Sequence, residues 1–173
     1  ALINITSRMK PTFVGVASTA LVETRGEDFV GELNTIRRRR PELNDTAIVF
    51  ASTPDFEGAL EDGWAKATRA IVEALVEAPA VRPEASTAIN VLPGVHMTPA
   101  DLDELRHIVE AYGLVPTFLP DTSSSLDGNV PDSYIGTSLG GATLADIRGM
   151  GSAVHTIAIG EHMRASGQAL MER

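Results

Sequence analysis

Apolar residues in this 173-residue chain follow two rhythms, short unbroken runs and longer stretches spaced by three and four. The runs TFVGVA (12–17), TAIVFAS (46–52), AINVL (88–92), VPTFL (115–119) and VHTIAI (154–159) predict five strands. Each lacks polar alternation, which is the signature of strands covered on both faces. Helices are predicted between them. The opening segment ALINITSRMK reads as a helix that ends at Lys10-Pro11. After Gly26 a helix carries Phe29, Val30, Leu33 and Ile36 on one face, and Pro41 stops it. A longer helix follows TPDF and runs to about Ala78, with the stripe Leu60, Trp64, Ala67, Ile71 and Leu75. Thr98-Pro99-Ala100-Asp101 supplies an N-cap, a first-turn proline and an acidic residue. That helix is expected to bury Leu102, Leu105, Ile108 or Val109, and Tyr112 before Gly113 ends it. Residues 78–86 and 120–137 read as loops. A short helix is expected from Thr143 to about Gly151, and a last helix closes the chain.

Strands alternating with helices imply an α/β fold, a Rossmann-like parallel sheet flanked by helices. Four strand–helix units lie beyond about Asp45, enough for one such domain, and the first forty residues hold one more. With Pro41–Asn44 as a hinge, residues 1–40 read as the end of one domain and 41–173 as most of a second. The chain opens without Met and stops inside a predicted helix, so it reads as a fragment.

Charge narrows the function classes. Net charge is −9 and the pI is about 4.8, which argues against nucleic acid or an anionic membrane as the main partner. The single basic run, Arg37–Arg40, closes a predicted helix where cations suit the negative end of the helix dipole. A solvated helix end is preferred there over an anion or RNA patch. No cysteine is present, which excludes disulfides, thiolate catalysis and thiolate-held metal within the chain. No apolar stretch reaches membrane-spanning length and no signal peptide is seen, so a cytoplasmic location is expected.

Residues with chemical potential each have a plainer explanation. Ser18 and Thr19 end the first strand, where hydroxyls commonly hold the following turn. His96, His107, His155 and His162 are scattered without metal-ligand spacing. Asp121, Asp127 and Asp132 share one loop, but their spacing is not that of a calcium loop, and Asx turns are favoured. The glycines of LGGAT (139–143) form neither a P-loop nor a GxGxxG fingerprint, and read as a turn feeding the Thr143 cap. No catalytic, cofactor-binding or metal-ligating residue is therefore assigned.

Four stretches together carry a resemblance: VGVASTALVETRGED (14–28), FASTPDFEGALEDGW (50–64), INVLPG (89–94) and LGGATLADI (139–147). They resemble the β-type subunits of nitrogenase and its relatives. Most of all they resemble the NifN family, subunits of the scaffold on which the iron–molybdenum cofactor is assembled. The resemblance implies three Rossmann-like domains in the whole subunit. It places residues 1–40 at the end of the first and 41–173 in the second, with the third absent. It further implies a homologous α-type partner in a heterotetramer, transient contact with the nitrogenase iron protein, and no catalysis by the chain itself. In the catalytic β-subunit the position matching Ala20 is a cysteine that helps hold the eight-iron P-cluster, and a methyl group cannot ligate iron. An iron–sulfur cluster and the cofactor precursor are implied for the intact family complex, with this subunit's cluster cysteine upstream of Ala1. The alternatives are a β-type subunit of a nitrogenase-like reductase and, from another class, a small Rossmann-like nucleotide-binding enzyme. Glu23, Glu27 and Asp28 beside Arg25 are read as supporting the start of the next helix rather than a docking surface. Apart from its neighbouring domains, the chain should expose apolar surface around residues 12–17 and self-associate to cover it.

Overall fold

A computed structural model describes residues 1–80, 86–123, 132–133 and 141–173, which form two compact units, Ala1–Ala74 and Leu75–Arg173.

The first unit contains α1 (Leu2–Met9), β1 (Phe13–Ala17), α2 (Ala20–Thr24), α3 (Phe29–Arg39), β2 (Ala47–Ala51) and α4 (Leu60–Leu75). Strands β1 and β2 pair in parallel, Phe13 opposite Ala47 and Ala17 opposite Ala51. A parallel pair needs a crossover connection rather than a tight turn, and α3 supplies it. Pro41–Asn44, expected as a hinge, belongs to a 3-10 helix spanning Pro41–Asp45 whose Leu43 is fully buried. An anchored leucine fixes this connection. TAIVFAS pairs with β1, and the compact units divide at 74/75.

Burial refines the predicted helix faces. On α3 Leu33 is buried and Phe29 stacks on Phe50 of β2 at 4.5 Å, while Val30 is 55% exposed. On α4 the buried residues are Thr68 and Val72, one position on from the predicted stripe, whose Leu60 is 73% exposed. Thr68 is tolerated in the core because its hydroxyl donates to the Trp64 carbonyl at 2.8 Å. Strand β1 is not covered on both faces as expected. Phe13 is 37% exposed and the strand alternates exposed and half-buried.

The second unit holds β3 (Ala88–Leu92), α5 (Pro99–Ala111), β4 (Val115–Phe118), α6 (Leu144–Gly149), β5 (His155–Ala158) and α7 (Arg164–Met171). Its parallel sheet has the order β4-β3-β5, so β3 is central. Ile89 and Val91 point to one face of β3 and pack with Leu102 and Val109 of α5 and Phe118 of β4. Tyr112, expected in that core, follows the last turn of α5 and is 81% exposed. Asn90 points to the opposite face. Its amide donates to the Met150 carbonyl at 3.0 Å and the Thr156 hydroxyl at 3.2 Å, and α7 packs against β5. Both α5 and α6 begin with a full capping box, Thr98 with Asp101 and Thr143 with Asp146. Gly151 is dictated by space, because a Cβ there would lie 2.2 Å from the Glu77 carbonyl oxygen.

Asn90 is 2% exposed and ties the 3-10 turn after α6 to the sheet. Replacement by Ala removes both of these side-chain hydrogen bonds at a buried position, leaving the Met150 carbonyl only the Ala153 N–H among the described residues, and urea denaturation is expected to show a loss of about 1–2 kcal/mol.

Candidate functional site

Ligands of open parallel sheets gather at the carboxyl ends of the strands, and the two units differ there. In the second unit the chain reverses direction between β3 and β5. The chain packs closely there, since a Cβ on Gly94 would come within 3.0 Å of the Ile159 carbonyl and 2.5 Å of the His96 ring. A cleft of about 780 Å³ opens instead between β5 and α7, bounded by Asn90, Thr156, Arg164 and Gln168 among others.

In the first unit, two stretches far apart in sequence, 18–28 and 50–64, meet at the carboxyl edge of β1 and β2. Ser18 is buried at 7% exposure, and its backbone N–H continues the ladder to the Ala51 carbonyl. Its side-chain oxygen accepts the Thr53 N–H at 2.9 Å, and the Thr53 hydroxyl donates back to the Ser18 carbonyl at 3.3 Å. This reciprocal pair clasps the two loops. Ser52 donates its hydroxyl to Glu23 at 2.6 Å. The Ser18 and Ser52 hydroxyls hold the Glu23 carboxyl below the usual glutamate range, with a smaller contribution from the charge of Lys66. Lys66 also pairs with Glu57 at 2.7 Å. Gly58 takes a φ of +77°, a conformation suited to glycine, and the following Ala59 N–H is capped by Asp62 at 2.7 Å. Ala20 opens α2 and is half-buried.

The arrangement is a hydroxyl and carboxylate network in which Ser18 is committed to structure. No histidine occurs in the first unit, and the Ser18 side chain is engaged by the Thr53 N–H. The acidic residues separate by role. Asp28 caps α3 by accepting the Gly31 N–H at 2.9 Å, and Glu27 pairs with Arg25 at 3.1 Å. Glu23 instead joins the clasp, a role that spacing alone did not indicate. His96, His107, His155 and His162 are all exposed and stay apart. Among the described residues no group of three or more His, Asp or Glu is arranged to hold a metal. Asp121 accepts the Ser123 N–H at 3.1 Å in an Asx turn and pairs with Arg106 at 2.9 Å, while Arg106 also lies over the Phe118 ring. Asp132 is described but Asp127 lies outside the described residues, as do Leu139 and Gly140 of LGGAT. Gly141 has a φ of +86° and leads into the Thr143 cap as expected.

Two outcomes test the clasp. Ser18→Ala removes the acceptor of the Thr53 N–H and is expected to lower stability by about 2 kcal/mol in urea. For Glu23 the folded pKa lies below that of the unfolded chain, so its contribution is complete above the ordinary glutamate range and lost as pH falls through the folded value. The stability difference between the wild type and Glu23→Gln should be largest near neutral pH and vanish in acid, read from denaturation curves across pH.

Comparison with known proteins agrees with the stretches that meet here. The model of the nitrogenase component 1 type oxidoreductase family matches residues 1–173. Relatives from Rhizobium meliloti (47% identical, covering 98% of this chain and 39% of the relative) and Rhodobacter capsulatus (47%, 100% and 38%) are both described as nitrogenase iron-molybdenum cofactor biosynthesis protein NifN. One from Bradyrhizobium diazoefficiens, with the same description, is 44% identical over 100% of this chain and 37% of its own length. The chain thus spans under two fifths of these relatives. A solved chain described as "Nitrogenase Cp1 at pH 6.5" superimposes with a TM-score of 0.90 at 26% identity, covering 99% of this chain and 37% of that one. With its whole length matched and its fold shared, the chain belongs to the nitrogenase component 1 type oxidoreductase family.

Proposed function

We propose that this chain is part of a NifN-type scaffold subunit, which together with a homologous α-type partner supports assembly of the iron–molybdenum cofactor. The observation that carries this reading is the pairing of high identity to proteins named for that biosynthesis with the residue at the carboxyl edge of β1. There Ala20 stands where the resemblance to catalytic β-subunits implies a cluster cysteine. The Ser18–Thr53 clasp and the Glu23–Ser52 bond give that edge a set shape. In this reading the chain supplies contact surface and geometry. The iron–sulfur cluster and the cofactor precursor are held by groups elsewhere in the intact complex, probed transiently by the nitrogenase iron protein, and the chain catalyses nothing by itself. The first unit then corresponds to the junction of the subunit's first and second domains and the second unit to the body of the second domain. Among the described residues no helix is long and apolar enough to cross a membrane, in keeping with assembly in the cytoplasm.

The test uses the full-length subunit purified with its α-type partner. The loaded complex is expected to activate cofactor-less nitrogenase and to show no substrate reduction at nitrogenase rates with iron protein and reductant. Rapid substrate reduction by the complex itself would assign it to the reductases instead. The 173-residue chain purified alone is expected to carry no stoichiometric iron, since it has no thiolate to offer. Metal analysis and the absorption spectrum read this directly.

A further inference from the structure

We draw no further inference here: the strongest candidate, the cleft between β5 and α7 bounded by Asn90, Thr156, Arg164 and Gln168, lies along a sheet edge of a chain that spans under two fifths of its relatives, and nothing in the structure shows what covers it.

Discussion

Two parallel strands cannot be joined by a turn, so every connection in this molecule must cross the sheet and return to the same end. The pairing of β1 with β2 therefore places the chain after each strand on one common edge. Residues 18–28 and 50–64 meet there although more than twenty residues separate them. The Ser18–Thr53 exchange converts that proximity into a fixed relation. Its N–H and hydroxyl groups bond both ways across the gap, so neither loop can shift without breaking two hydrogen bonds at a partly buried position. Phe29 stacked on Phe50 anchors the start of α3 against the same strand. Position Ala20 is thus set by backbone pairing and a serine.

The same constraint governs what this edge offers chemically. A serine that accepts a backbone N–H and donates a hydrogen bond to a carboxylate has its hydrogen-bonding capacity largely used. Glu23, charged and bonded to two hydroxyls, is stabilised as an anion and poorly suited to take up a proton near neutral pH. The edge is polar and held in shape by hydrogen bonds between its two loops.

Element types and the α/β class were legible because unbroken apolar runs and 3.6-residue spacing are local signals. The capping boxes were legible for the same reason, since Thr98 and Asp101 sit within one turn. Strand partnership was not. TAIVFAS has the same apolar character whichever neighbour it pairs with, and only the burial of Leu43 and the ladder to β1 decide the matter. The α4 face was misplaced by one position because a threonine reads as polar in a hydropathy pattern. Thr68 enters the core by bonding its hydroxyl to its own helix. The resemblance-bearing stretches were visible as strings, but their meeting through Ser18, Ser52 and Thr53 is a long-range fact that no spacing rule encodes.

Topology also sorts the charges. In a parallel α/β unit the crossover helices run opposite to the strands, so their positive ends lie at the carboxyl edge and their negative ends at the amino edge. Acids accordingly collect at helix starts, as Asp28, Asp101 and Asp146 do, and cations at helix ends. A degree of charge asymmetry is the ordinary consequence of such a fold and needs no partner to explain it. The macrodipole acts only over the last turn and is satisfied by one or two cations. On α3 the last turn holds Arg37, Arg38 and Arg39, and Arg40 just after it pairs with Glu42 at 3.5 Å.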